Sequence, residues 1–117
     1  MNKTILLTGG AGYIGSHIAY ALCDLGMDVI VYDDLSSGSK ENIDPRCTFI
    51  EGSIFDINLL MKTLSNVNTV IHLAGLKDAG ESMRNVSLYS KYNIEGALNV
   101  IKASVDKKVD KFIFSSS

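Results

Sequence analysis

Thr4-Ile5-Leu6-Leu7-Thr8-Gly9-Gly10-Ala11-Gly12-Tyr13-Ile14-Gly15 is the stretch from which the fold can be read. Thr4 to Thr8 is nearly continuous in apolar and β-branched character, which suits a strand buried on both faces, as strands of parallel sheets are. Glycines three apart follow at once. Beyond them Ile14, Ile18, Leu22 and Leu25 recur at spacings of four, four and three, which predicts a helix over about Gly12 to Leu25 with one apolar face, stopped by Gly26. A strand that turns through glycines into a helix is where an α/β sheet holds a phosphate. The tasks for Gly9, Gly12 and Gly15 would be a tight turn, close approach of backbone to a pyrophosphate, and close packing of helix on strand. The helix N-terminus, with its unpaired N–H groups and positive dipole end, then faces the anion.

The same alternation of short apolar runs and amphipathic stretches continues along the chain. Val29 to Tyr32 reads as a second strand, Thr48 to Ile50 as a third, Thr69 to Leu73 as a fourth and Lys111 to Ser115 as a fifth. Asp56 is placed to cap a short helix carrying Ile57, Leu60, Met61 and Leu64. A longer helical region over about Ser82 to Asp106 carries the stripe Ile94, Ala97, Leu98, Ile101 and Val105. Right-handed crossovers make this one doubly wound, Rossmann-like α/β sheet in the order 3-2-1-4-5, whose ligand crevice lies between strands one and four. The polar stretch Asp34 to Pro45 is the one long loop, and its length suggests a functional role or mobility.

Asp33 closes the second strand eighteen residues after Gly15, near the ~20 expected of the acid that accepts hydrogen bonds from a ribose. A carboxylate there repels a 2′-phosphate and favours NAD over NADP. Asp34 is the second candidate; a polar strand end opening a turn is the plain alternative for both.

Composition narrows the classes. The chain has 117 residues, 46% of them hydrophobic and 21% charged, enough for one packed domain. A formal net charge of −2 gives no basic field for nucleic acid, so small molecules are the expected partners. Neither a signal-peptide core nor a stretch of ~20 apolar residues is present, which points to the cytosol and away from membranes. Cys23 and Cys47 lack metal or redox spacing and read as reduced core thiols. His17 and His72 stand far apart with no evident carboxylate partner, and His72 reads as a satisfied core group. No metal site emerges.

Taken with two later blocks, the glycine stretch resembles the extended short-chain dehydrogenase/reductase family, and within it the UDP-glucose 4-epimerases. The blocks are Thr8 to His17, then Ile71-His72-Leu73-Ala74-Gly75-Leu76-Lys77 with Gly80-Glu81-Ser82, then Phe112-Ile113-Phe114-Ser115-Ser116-Ser117, and the second is the most diagnostic. The resemblance implies that Tyr13 and Ile14 meet the pyrophosphate of NAD through their backbone. It implies that Asp33, Asp34, Leu35, Ser36 and Ser37 cradle the adenosine ribose, and that Ser53 with Ile54 borders the adenine. Leu73, Ala74, Gly75 and Lys77 would lie along the cofactor, and Ser117 would be the active-site serine that hydrogen-bonds the sugar hydroxyl. Two positions depart from the family: Ser53 replaces an aspartate, a weaker acceptor for the adenine amine, and Tyr92 replaces an asparagine, next to a retained Asn93.

Members of the family oxidise a nucleotide sugar transiently, using a tyrosine base whose pKa is lowered by a lysine four residues on. No tyrosine of this chain has that lysine: the fourth residues after Tyr13, Tyr20, Tyr32, Tyr89 and Tyr92 are His17, Asp24, Ser36, Asn93 and Gly96. The expectation is an N-terminal part of an NAD-binding domain, without the substrate domain and inactive alone, whose full-length parent takes NAD and a UDP-sugar. Other nucleotide-sugar epimerases, dehydratases and decarboxylases remain open, as does a non-catalytic dinucleotide-sensing module. Self-association is expected, as a homodimer through the helix carrying Ile94 to Val105 or through the edge Phe112-Ile113-Phe114.

Overall fold

Leu6 and Leu7 point to opposite sides of one strand, and the two sides of the sheet are built around them. The computed structural model describes residues 3–36, 38–73 and 86–114, with the backbone alone for 86–92. In chain order the elements are β1 (Thr4–Thr8), α1 (Tyr13–Asp24), β2 (Asp28–Asp33), a single 3-10 turn (Lys40–Asn42), β3 (Thr48–Glu51), α2 (Ile57–Thr63), β4 (Thr69–His72), α3 (Val86–Asp106) and β5 (Lys111–Phe114). All strand pairs are parallel and the order is β3-β2-β1-β4-β5, as the connectivity predicts. Leu6 lies beside Ile30 on β2 and Val70 on β4, so the register aligns apolar residues across three strands.

One face of the sheet packs Leu6, Tyr32 and Val70 against Leu60 and Leu64 of α2 and its turn and against Val100 and Ala103 of α3. The other packs Ile5, Leu7, Val29 and Val31 against Ala19, with Ile18, Leu22 and Cys23 half-buried at the margin. Strands covered on both faces need near-continuous apolar sequence, which is why β1 and β2 read so plainly. Asp56 caps α2 by accepting from Leu59 N–H, and Gly26 ends α1 at φ +82°, both as expected.

The apolar stripes of the two long helices turn differently toward the sheet. Ile14 and Leu25 are exposed, and the face of α1 on the sheet is centred one residue on, at Gly15 and Ala19 with Ile18 and Leu22. On α3 the sheet side is Gly96, Val100, Ala103 and Ser104, whereas Ile94 (61% exposed), Leu98, Ile101 and Val105 (69%) face outward. Small residues let α3 approach closely: a Cβ on Gly96 would collide with the Ile54 side chain. The periodicity is helical, but size marks the outer stripe and smallness the inner one.

Loop 34–45 is fastened where it is described. Arg46 binds Asp44 Oδ2 at 2.8 Å and Asp24 Oδ1 at 2.9 Å and lies over the Tyr20 ring, tying the approach to β3 onto the end of α1. The Arg46 hydrogen bonds hold the Asp44 carboxyl down at about 2.

Candidate functional site

The carboxyl ends of β1 and β4, where the strand order reverses, carry the glycine loop and Leu73. Each glycine does a separable job. Gly9 turns at φ 74°, a conformation that costs an L side chain strain, and donates its N–H to Tyr32 O at 2.9 Å. A Cβ at Gly15 would stand 2.6 Å from Gly9 O and 2.7 Å from Gly10 Cα, so helix and loop approach here closer than any side chain allows. Among the described residues a Cβ at Gly12 would meet only Gly9 O, at an ordinary 3.5 Å. The packing of the described residues does not require that glycine, and the space beside it fits a ligand.

Gly12 is also the N-cap of α1, and no side chain caps the helix or places an acid in its first turn. Tyr13 and Ile14 are exposed beside it. An uncapped helix start behind a glycine turn fits the pyrophosphate of a dinucleotide on chemical grounds, since it offers N–H donors and a positive dipole end with no side chain among the described residues capping it.

Asp33 is buried at the exit of β2 and both of its oxygens already accept backbone hydrogen bonds: Oδ2 from Ala11 N–H at 2.9 Å and Oδ1 from Leu35 N–H at 2.7 Å. Each oxygen has a further lone pair for a ribose hydroxyl. The acid thus braces the glycine loop as well as standing where a ribose would lie. Leu35 follows at φ 64°, a left-handed conformation unusual for a branched apolar residue, of the kind that collects at ligand sites. Asp34 accepts from Ser36 N–H in a local turn. Ala11 is held from its other side too, because its carbonyl accepts from Ser39 N–H at 3.1 Å and Asn42 Nδ2 at 3.2 Å. Gly38 permits this contact, as a Cβ there would lie 2.6 Å from the Ala11 carbonyl carbon.

Thr8 joins the two sides of the crevice. Its Oγ1 lies 2.6 Å from His72 Nδ1 and accepts from Leu73 N–H at 3.0 Å, while its carbonyl accepts from the same N–H. His72 is buried beside Phe112 and Phe114 and is the satisfied core group expected.

Ser53 and Ile54 follow β3. Ser53 Oγ accepts from Phe55 N–H, and its carbonyl accepts from the Tyr32 hydroxyl at 2.6 Å. Burial, with Asp56 and Asp34 nearby, pushes the Tyr32 phenol up to about 12, so it acts as a donor and not as a base. The Ile54 side chain is committed to the core and its carbonyl accepts from Asn99 of α3, so its backbone is what a ligand would meet. Ser37, Ala74, Gly75, Lys77 and Ser117 lie outside the described residues.

Ser39, Asn42 and Asn99 escaped the sequence reading. The contacts in question are the Ser39 backbone N–H and the Asn42 amide on Ala11 O and the Asn99 amide on Ile54 O, and only the folded approach brings these partners together. Among the described residues no three His, Cys, Asp or Glu side chains gather as metal ligands, and no helix is long and apolar enough to cross a membrane.

Comparison with known proteins follows the same lines. A family model described as "NAD dependent epimerase/dehydratase family" matches residues 5–117. A UDP-glucose 4-epimerase of Erwinia amylovora is 41% identical over 97% of this chain and 36% of its own length. The UDP-glucose 4-epimerase of Thermotoga maritima, solved with UDP-glucose, superposes at a TM-score of 0.92 with 41% identity, covering 97% of this chain and 38% of that one. The Brucella ovis UDP-glucose 4-epimerase, solved in complex with NAD, gives 0.93 with 34% identity, covering 97% and 35%. The chain therefore spans about a third of the length of the relatives it matches.

Proposed function

The chain belongs to the NAD dependent epimerase/dehydratase family, and from that membership we propose that it is the NAD-binding front part of a UDP-glucose 4-epimerase, interconverting UDP-glucose and UDP-galactose in a full-length parent. Residues 1–117 form the N-terminal part of the dinucleotide domain in this reading, and the substrate domain belongs to sequence beyond it. The observation that carries it is the uncapped start of α1 behind Gly9, Gly12 and Gly15, with Asp33 braced against the same loop. The backbone at Gly12, Tyr13 and Ile14 receives the pyrophosphate. Asp33, with Asp34, Leu35, Ser36 and Ser37, takes the adenosine ribose, and Ser53 with the Ile54 N–H borders the adenine. Leu73, Ala74, Gly75 and Lys77 run beside the nicotinamide half, and the Ser117 hydroxyl meets the sugar. NAD, when bound, supplies reversible hydride transfer; the residues of this chain hold and orient it. The tyrosine and lysine that move the sugar proton are not among these residues, so this chain alone turns nothing over.

Calorimetry on the 117-residue chain tests the cofactor reading. NAD should bind and NADP should bind at least ~10-fold more weakly, because a 2′-phosphate would meet the buried Asp33 carboxylate. Equal or tighter binding of NADP would overturn the assignment of Asp33, and no binding of either by a folded chain would mean that these residues are not a working half-site.

The outer stripe of α3 supports a homodimer. Ile94, Leu98, Ile101 and Val105 form one apolar face with no partner among the described residues. We place the dimer contact there, rather than at the β5 edge, where Ile113 and Phe114 are also exposed. Leu98→Asp should shift the sedimenting species from dimer to monomer. A dimer that survives Leu98→Asp but is lost with Ile113→Asp would assign the contact to the edge strand. A cytosolic location accords with the two free thiols and is checked by fractionation.

A further inference from the structure

Cys23 and Cys47 are 24 residues apart in sequence, yet their sulfurs lie 3.6 Å apart. Cys23 sits in the last turn of α1 and Cys47 directly precedes β3. Contacts on either side hold the two segments in this approach. Arg46, next to Cys47, binds Asp24, next to Cys23, at 2.9 Å, and also reaches Tyr20 O and lies over the Tyr20 ring. Cys47 N–H donates to Asp44 O, whose side chain Arg46 also holds. Both thiols are free and partly exposed at the margin of the core, within reach of a small oxidant. Closing the sulfurs from 3.6 Å to the ~2.05 Å of a disulfide is a movement of about 1.5 Å.

We propose that Cys23 and Cys47 are a reversible disulfide-forming pair, a modification site that staples the end of α1 to the start of β3. The oxidant is hydrogen peroxide. One thiol sulfur gives two electrons to the peroxide O–O bond and becomes a sulfenic acid as water leaves; the second thiol then attacks that sulfur, the S–S bond forms and a second water departs. Burial, with Cys23 alongside, pushes the Cys47 thiol up to about 12. A dithiol reductant reverses the linkage by exchange. Because α1 runs back against the strands, the staple closes at the sheet end opposite the crevice. Oxidation therefore stiffens the chain and leaves the ligand end as it was. The inference stands independently of the cofactor assignment.

The purified chain, treated with hydrogen peroxide and then with a thiol-blocking reagent, should lose two hydrogens by intact mass and take up no blocking group. Its digest should contain one peptide linking Cys23 to Cys47, and its Tm should rise by about 10 °C, returning on reduction. Cys47→Ser should instead carry oxygen adducts at Cys23 with no gain in Tm, which separates the linkage from oxidation elsewhere. Both thiols still open to blocking after oxidation, a linkage found only between chains, or an oxidised wild-type chain no more heat-stable than the reduced one would each overturn the proposal.

Discussion

Gly15→Ala should destabilise the chain by about 3 kcal/mol and abolish dinucleotide binding, although alanine is the better helix former. In a free helix the change would gain about 1 kcal/mol. Here the added methyl would stand 2.6 Å from Gly9 O and 2.7 Å from Gly10 Cα, and both are backbone atoms that no rotamer change can clear. Relief requires moving α1 off β1 or opening the turn at Gly9, and overpacking of this kind costs typically 1–3 kcal/mol or more. Gly12→Ala is the control, because its methyl would sit at an ordinary 3.5 Å from Gly9 O. Urea denaturation should show a near-normal midpoint for Gly12→Ala and a much lower one for Gly15→Ala, while calorimetry shows NAD binding lost in both. A Gly15→Ala chain as stable as the parent would mean that the close approach of helix and loop is not a requirement of the fold.

Asp33→Ala should cost about 3 kcal/mol of stability and roughly 100-fold in NAD affinity. The carboxylate is buried and accepts from Ala11 N–H and Leu35 N–H, and hydrogen bonds to a charged group contribute ~1.5–3 kcal/mol each, with an added cost where the abandoned donor stays away from water. The Ala11 donor is the buried one and dominates the loss; Leu35 N–H is better placed to find water. Asp33→Asn keeps one carbonyl oxygen and should recover part of the stability, but without the charge it should no longer favour NAD over NADP. Matched denaturation and calorimetry on the two variants separate the structural role from the electrostatic one. If Asp33→Ala weakened NAD but left the urea midpoint unchanged, the brace to Ala11 would be energetically idle.

How much of this could be read in advance depended on whether the signal was local. β1 was legible to the residue because Thr4 to Thr8 is buried on both faces and is punctuated by glycine, and the strand order followed from connectivity and handedness alone. The Asp56 cap and the Gly26 stop are properties of a few adjacent residues. The facing of α3 was not legible, since its inner side is defined by Gly96, Ala103 and Ser104, residues chosen for what they leave out, while the eye follows Ile94, Leu98 and Ile101. The fastening of Ala11 by Ser39 and Asn42, like the meeting of Cys23 with Cys47, exists only once distant segments are brought together, and no spacing rule encodes it. Asp33 is marked by its distance from the glycines, but its second duty as a brace arises only when the fold brings Ala11 against it.

The Thr8 side chain carries a consequence for how a ligand enters. One hydroxyl touches His72, and the same residue receives Leu73 N–H through both its side chain and its carbonyl, so the exits of β1 and β4 are bolted at the point where a hinge would have to open. Prying them apart would strand buried polar groups, at ~1–3 kcal/mol apiece. The floor of the crevice is thus a rigid notch of fixed width. Admission and release of a dinucleotide then fall to the chain segments that rise above the sheet, and the exchange rate should follow substitutions there far more than substitutions in the strands beneath.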